Sequence, residues 1–473
     1  MKKFFKKIIF ILIIIVFSVG IFNLFKPLPE NIPFEGNFHN VSNIKFLKDL
    51  TWVNKKELEK EHEIFNEIIT KIDEANDFIL MDMFLFNNFM GKPLKNDESL
   101  SNKLINSLIE KKKQNPDIFI CVITDPINTV YNGLINPDLK KLEKNKIHVV
   151  FTDLDRLRDS NPFYSAIYRV FFKAFGNSPS KTVKNPFGGE KISFKSYFRL
   201  LNFKANHRKT FICSTKKDIF AIVSSFNPHD ASSYHLNAGV LFNGKAALDL
   251  LESEKAVLEM SGFKKLPEIN FHTNNTLSSE KIKIITENKI SKNIIKLINS
   301  TKKGDKIDLV MFYLSHRKII NSLKQASKRG VNVRVLLDAN KDAFGRQKNG
   351  IPNRVTGREL DDNNILVRWA KTKGNQLHSK ILLIKKSSGE NFLITGSANF
   401  TRRNLDNFNL ETNVIVKAQT NTVFFKDLLE YIEILFSNTD SKQLSIKYTE
   451  LEKPVFYKKY LYLFMEKTGF STF

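Results

Sequence analysis

The chain has 473 residues and a formal charge of +25, from 74 Lys and Arg against 49 Asp and Glu. That length exceeds one ordinary core and predicts two domains plus extensions. A hydrophobic share of 42%, with 19 Gly and 14 Pro, excludes a fibrous or largely disordered chain.

The N-terminus reads MKKFFKK and continues into an uncharged apolar run from Ile8 to Phe25. As a helix, this run spans about 27 Å, close to the thickness of a bilayer core. The lysines before it predict a cytoplasmic N-terminus. Residues 1–25 therefore read as a membrane anchor, or as a signal segment if cleaved. The only small-x-small step, Ser18-Val19-Gly20, lies inside the apolar run and makes a poor cleavage site. In both cases the body is expected on the extracytoplasmic side, anchored or secreted. Residues 26–56, with prolines at 27, 29 and 33, read as a linker and lead-in strand.

A helix is predicted through KELEKEHEIFNEIITKIDEA, where Ile64, Ile68, Ile69 and Ile72 recur at helical spacing. NDFILMDMFLF reads as a buried strand, LINSLIEKKK as a helix, and IFICVITDP as a second buried strand closed by Asp125. The same order returns in NKISKNIIKLINSTKKG, DKIDLVMFYLS, RKIINSLKQASKRG and VNVRVLLDA, the last closed by Asp338. This is an internal duplication of mixed α/β units, 57–270 and 271–435, followed by a C-terminal extension, 436–473. The first unit carries an insertion within 160–199. Its FYSAIYRVFFKAF is either a lipid-facing lip or a packed helix, and so is PVFYKKYLYLFMEKTGF in the extension. Cys121 and Cys213 lie in apolar strands and predict buried free thiols rather than a disulfide or metal site. The positive charge attracts phospholipid headgroups or nucleic acid and does not separate them.

Two short stretches carry the chemistry: NHRKT at 206–210 and LHSKI at 377–381. Each is followed by a hydrophobic strand that ends in Ser-x-Asn, at Ser225/Asn227 and Ser397/Asn399, and then by Asn237 or Glu411. Strand alternation puts His207 with Lys209 on one face and His378 with Lys380 on another. Arg208 and Ser379 are expected to point away. Brought together, the units supply two imidazoles, two ammonium groups, two amides and two hydroxyls. That set makes a phosphate pocket with two groups able to act as nucleophile, acid or base.

This repeated pattern resembles the phospholipase D superfamily. FILMDMFLFNN, VITDPINTVYNG, LRDSNPFYSAIYR, NFKANHRK and NPHDASSYH are similar to its bacterial cardiolipin-synthase-like branch, and the resemblance covers about residues 40 to 435. It implies two duplicated phospholipase D-type domains, each a mixed central sheet flanked by helices, packed as a pseudo-dimer. It implies His207 as nucleophile and His378 as acid, in a two-step displacement through a phosphohistidine. Lys209, Lys380, Asn227 and Asn399 match the groups that hold phosphoryl oxygens, with Ser225 and Ser397 in support and no metal or cofactor. Glu411 is expected to orient one histidine. Asn237 occupies the equivalent place in the first unit, where Asp230 is expected to supply the missing carboxylate. The substrate class implied is an anionic glycerophospholipid at a membrane surface, with transfer or hydrolysis as the outcome. A nonspecific nuclease acting on nucleic acid and a catalytically weak membrane scaffold are the alternatives.

Two departures stand out. Such a synthase is expected to have two N-terminal spans, and this chain shows one. Ser214 and Lys385 stand where His-x-Lys-x4-Asp places aspartate. Alternation puts that position on the opposite strand face from the lysine, which predicts a supporting role, with Asp218 available from a shifted turn.

Overall fold

The computed structural model describes residues 1–473 apart from 55–56, 88–98, 270, 272, 274–278, 341, 344–345, 348, 440–441 and 472. Asn88, which closes FILMDMFLFNN, and the 270 boundary of the first unit lie outside the described residues. Helix α1 (Lys2–Phe25) precedes β1 (His39–Asn40), β2 (Ile44–Asn54) and β3 (Glu57–His62). Next come α2 (Glu63–Glu74), β4 (Phe78–Met83), α3 (Leu100–Gln114), β5 (Phe119–Thr124), α4 (Pro137–Lys144) and β6 (His148–Phe151). The insertion forms α5 (Pro162–Phe171) and α6 (Phe194–Leu200). The first unit ends in β7 (Lys209–Ser214), β8 (Ile219–Ser224), β9 (Asn237–Asn243) and α7 (Lys245–Met260).

The second unit runs β10 (Lys281–Thr286), α8 (Glu287–Asn299), β11 (Lys306–Met311), α9 (Arg317–Lys328) and β12 (Asn332–Leu337). A small hairpin, β13 (Asp342–Ala343) and β14 (Arg346–Gln347), leads to α10 (Asn353–Asp361) and β15 (Leu366–Ala370). Then follow β16 (Lys380–Lys385), β17 (Glu390–Gly396), α11 (Arg402–Leu405), β18 (Thr412–Gln419) and α12 (Val423–Ser437). The extension contributes β19 (Ser445–Lys447) and α13 (Tyr457–Thr468).

Among the described residues, two large sheets share one internal order: β9-β8-β7-β4-β5-β6 in the first and β18-β17-β16-β11-β12-β15 in the second. In each, three parallel strands meet an antiparallel strand that begins at the motif lysine, with Met83 opposite Lys209 and Met311 opposite Lys380. The mixed, duplicated α/β architecture is therefore present. The lead-in strand β2 lies inside the first sheet beside β9, while β1 from the linker and β19 from the extension border the second.

Alternation explains the layers. Phe78 and Leu80 face a central core that also holds Ile212, Val240, Val310, Ile381 and Val414, so both sheets share it. Ile79 and Met81 face outward, under Ile64, Ile68 and Ile72 of α2 and Leu104 and Leu108 of α3. The second sheet repeats this with Leu309 under Ile294 of α8 and Leu323 of α9. One expectation is corrected. ELEKEH is strand β3, paired with β2, and α2 begins only at Glu63. The apolar helical stripe starts at Ile64, and the charged residues before it have no second apolar position to bury as a helix. Cys121 and Cys213 are buried free thiols.

Candidate active site

The two motifs lie where the parallel strands end, the usual place for a site in an open α/β sheet. Each is tied down by a carboxylate at the end of the second strand of its unit. Asp125 accepts from Asn206 N at 2.7 Å, and Asp338 accepts from Leu377 N at 2.9 Å. Asp125 and Asp338 thus hold the backbone one residue before each histidine.

The units then cross. His207 N donates to Leu410 O at 2.9 Å, and Leu410 N to Ala205 O at 3.1 Å. Reciprocally, His378 N donates to Leu236 O and Leu236 N to Gln376 O, both at 2.9 Å. These paired bridges place Glu411 against the first histidine and Asn237 against the second. The His207 Nδ1 lies 3.0 Å from the Glu411 carboxylate, and His378 Nδ1 lies 3.0 Å from Asn237 Oδ1. Ser397 and Asn404 also donate to Glu411, and Ser225 donates to Asn237 Oδ1 at 3.1 Å. With both Nδ1 atoms taken, each ring has Nε2 left for chemistry.

The lysines close the site. Lys209 Nζ donates to His207 O at 2.7 Å and Lys380 Nζ to His378 O at 2.5 Å. Phe84 and Phe312 sit at matching places: each touches its histidine ring, with centroids 4.8 and 5.3 Å apart, and lies under its lysine. Asn227 Oδ1 accepts from Leu85 N at 3.4 Å, whereas Asn399 Oδ1 is buried with no hydrogen-bond partner among the described residues.

Burial controls the protonation of this cluster. It lowers Lys209 to about 7 and, with the neighbouring Lys209 ammonium, holds Lys380 well below the usual lysine range. Burial also lowers His207 to about 4, against the pull of Glu411, and holds His378 well below the usual range, helped by Lys380. Burial opposes the charge on Glu411, but His207 and Lys209 outweigh it and keep this carboxyl low. A buried cluster of two amines and two imidazoles disfavours its own positive charge and so favours an incoming anion.

Two sequence expectations change here. Asp230 is not at a histidine: it accepts from Ser101 N at 3.2 Å and Ser101 Oγ at 3.3 Å, at the start of α3. Asn237 fills the equivalent of the Glu411 place, and the carboxylate behind it is Asp49, which accepts from Asn237 Nδ2 at 3.1 Å. Asp218 bonds Ile219 N and Asn243 in the β-hairpin, away from the motif lysine.

Arg208 does point away from the site, as alternation requires, and is a fully buried ion-pair residue. It donates to Glu287 at 2.9 Å and Ser253 Oγ at 2.9 Å, and Glu287 in turn accepts from Glu411 N at 3.1 Å. Ser379 donates to Leu236 O. Arg403 binds Gly469 O, Ser471 O and Ser160 Oγ, and Arg402 reaches Ser160 O, so both tie the C-terminus to the insertion.

Ser214 and Lys385 stand at the far ends of β7 and β16. Five steps of about 3.3 Å separate them from the motif lysines, or roughly 17 Å. Ser214 Oγ accepts from Asp77 N at 3.2 Å, and Lys385 pairs with Asp308 at 2.9 Å.

The sequence reading left out Asp49, Phe84 and Phe312, and gave His235 no role. The His235 ring lies 5.6 Å from that of His378. A signal existed for the phenylalanines, since Met-Phe closes both β4 and β11 in the duplicated pattern. None existed for Asp49, which lies 188 residues from Asn237. Among the described residues, no group of three or more His, Cys, Asp or Glu side chains could hold a metal ion.

Residues 294–435 match the family described as cardiolipin synthase, PLD-like domain. No match was found among curated protein sequences. The fold is similar to that of phosphatidylserine synthase from Haemophilus influenzae Rd KW20, with a TM-score of 0.56 at 12% identity, covering 95% of this chain and 97% of that one. Polyphosphate kinase from Porphyromonas gingivalis overlaps with a TM-score of 0.47 at 13% identity, over 89% of this chain and 52% of that one. The phospholipase D family member Nuc from Salmonella typhimurium aligns with 35% of this chain and 97% of its own, with a TM-score of 0.28 at 18% identity.

Proposed function

We propose that the chain is a member of the phospholipase D superfamily and acts as a phosphatidyltransferase or phospholipase D on anionic glycerophospholipids, a reading supported by the family match over residues 294–435 and by the similar fold. The observation that carries this reading is the crossed pair His207–Glu411 and His378–Asn237 around two buried lysines.

The two pairs suit different tasks. In the first step, His207 Nε2 attacks phosphorus, the bond to the leaving oxygen breaks, and His378 Nε2 gives that oxygen a proton. The ring of His207 gains positive charge as it bonds phosphorus, and the adjacent Glu411 carboxylate stabilises that charge. His378 leans on a neutral amide, so its imidazolium is less stabilised and gives up its proton more readily. In the second step, water or a lipid hydroxyl loses its proton to His378 Nε2. Its oxygen bonds phosphorus, and the electron pair of the P–N bond returns to His207. Lys209, Lys380, Asn227 and Asn399 are the groups that stabilise the phosphoryl oxygens as phosphorus becomes five-coordinate.

A membrane lipid is favoured by the exposed apolar surface. Helix α1 is long and apolar enough to cross a membrane. Its Gly20 approaches Ala166 and Pro162 of α5, and Asn23 O accepts from Asp159 N just before α5. Phe163 on α5 is exposed, as are Phe456 beside α13 and Tyr460 and Phe464 on it. These rings alternate with Lys458, Lys459 and Lys467, a composition suited to a headgroup layer. The opposite side of α13 buries Tyr462, whose cluster includes Phe312 at the site. On this reading α1 is an anchor and the site lies at the outer membrane surface.

Detergent-solubilised protein is tested with labelled phosphatidylglycerol and, separately, with single-stranded DNA. Cardiolipin or phosphatidate that disappears in His207→Ala is the expected result. DNA cleavage without lipid turnover would overturn the lipid assignment. Phosphoenzyme quenched in alkaline detergent, which spares the acid-labile P–N bond, is expected on His207, and label on His378 would reverse the two roles.

A further inference from the structure

We propose that Asp49 is a positioning residue that fixes the tautomer of His378 through the side chain of Asn237. The proposal rests on the phosphohistidine reading for its kinetic consequence, but its structural claim stands apart from it.

An asparagine amide can present either end to a neighbour, and the ends have opposite hydrogen-bonding character. A carboxylate only accepts. Asp49 Oδ2 lies 3.1 Å from Asn237 Nδ2, so that end of the amide must be the donor. Asn237 Oδ1 then faces Ser225 Oγ at 3.1 Å and His378 Nδ1 at 3.0 Å. Ser225 Oγ already accepts from Ala238 N at 3.1 Å, so its own proton goes to Asn237 Oδ1. An oxygen facing His378 Nδ1 requires Nδ1–H. The exchangeable proton therefore belongs to Nε2, the atom the reaction uses.

Asp49, Asn237 and Ser225 are all buried, so bulk water does not replace a lost link. Asp49 also accepts from Ile64 N at 3.1 Å, which fixes its own orientation at the start of α2. The charged and titratable groups around this chain are Glu63 and Tyr431 beside Asp49, and Lys380, His235, Lys209 and His207 beside His378. Of these, only His235 also touches the Asn237 amide: its carbonyl oxygen accepts from Nδ2 at 3.4 Å, a longer contact than that of Asp49 at 3.1 Å.

The first histidine needs no such chain because Glu411 accepts from it directly. The two halves thus use the same place differently. One puts a carboxylate against the ring, and the other puts an amide there with its carboxylate one link behind.

The test uses full-length detergent-solubilised protein labelled with 15N-histidine at pH 8, above the value of about 7 to which burial raises Asp49. The His378 signals are identified by their loss in His378→Gln. The wild type is expected to show only the Nδ1-protonated ring. Asp49→Asn keeps an acceptor for Ile64 N but lets the Asn237 amide turn, so both tautomers are expected. The double variant Asp49→Asn/Asn237→Asp moves the carboxylate against the ring and restores one tautomer.

Kinetically, Asp49→Asn is expected to slow cleavage of an alkyl phosphodiester about 10- to 100-fold, the usual scale for a residue that orients another. The pre-steady-state burst of p-nitrophenol from a p-nitrophenyl ester, whose leaving group needs no proton, should stay within about threefold, because His378 enters that reaction only after the burst, when it takes a proton from water. An unchanged His378 tautomer in Asp49→Asn, or equal loss with both leaving groups, would overturn the proposal. If wild-type protein cleaves neither ester, the phosphohistidine reading fails, while the nitrogen spectra still decide the role of Asp49.

Discussion

Glu411 of the second half accepts a hydrogen bond from His207 of the first, across 3.0 Å and 204 residues of sequence. The reciprocal contact, His378 to Asn237, has the same length but lacks the charge. Neither half holds a complete site, since each histidine is oriented by the opposite half.

This asymmetry predicts unequal responses. Glu411→Gln keeps an oxygen for His207 Nδ1 and removes the charge that stabilises the ring during attack. We expect kcat to fall about 10²- to 10⁴-fold, on the scale of other charge-neutralised histidine partners. Asn237→Asp/Asp49→Asn should not restore this loss. Rapid-quench measurement of phosphoenzyme formation checks it, and formation at the wild-type rate would contradict it.

Anion binding should weaken as pH rises. Burial brings Lys209 to about 7 in the free site, and its ammonium form is the one that attracts an anion. The charged fraction is high below pH 7 and falls above it, so affinity is lost on the alkaline side. Binding should be accompanied by proton uptake between pH 7 and 9. A non-hydrolysable phosphonate ester, singly charged across that range, provides the probe for calorimetry in buffers of different ionisation heat. Affinity that is flat with pH, without proton uptake, would show that Lys209 is charged before the anion arrives.

Arg208 is fully buried with Glu287 at 2.9 Å and Glu254 at 3.4 Å. Arg208→Met leaves those carboxylates without their counter-charge. Breaking such a pair from one side costs about 3–5 kcal/mol. Chemical denaturation should show that loss, and because Arg208 of the first unit pairs with Glu287 of the second, it is a loss of coupling between the two halves as well. A change below 1 kcal/mol would mean that water or another cation takes over.

Restoring the absent aspartates should not improve catalysis. Ser214→Asp is expected to change kcat less than about twofold, because the position lies roughly 17 Å along the strand from Lys209. Lys385→Asp should instead lower stability by about 1–3 kcal/mol, the range between exposed and buried pairs, by setting an acid against Asp308. Lys385→Gln, which removes the cation without setting an acid against Asp308, should cost less, because Arg334 still pairs with Asp308 at 2.6 Å. Thermal melting together with turnover of a soluble diester separates the two effects.

Much of this protein was legible from sequence. The duplicated strand-helix order and the period-two spacing of His207/Lys209 and His378/Lys380 follow from local backbone geometry, and local geometry is what a sequence encodes most directly. The repeat also made Ser225 and Ser397 visible, because the serine recurs at the same place in each unit, and Glu411 with them as the counterpart of Asn237. Local pattern extended the helix before α2 too far, since ELEKEH pairs with β2 only because the lead-in strand folds back beside it. It also gave Asp230 a place at a histidine that Asp49 serves from a distance through Asn237. What the tertiary structure alone decided was the crossing of the halves: which histidine meets the carboxylate, which meets the amide, and where Asp49 stands behind it. Those contacts join segments roughly 140 to 200 residues apart, and their geometry comes from docking one sheet against another around a shared core.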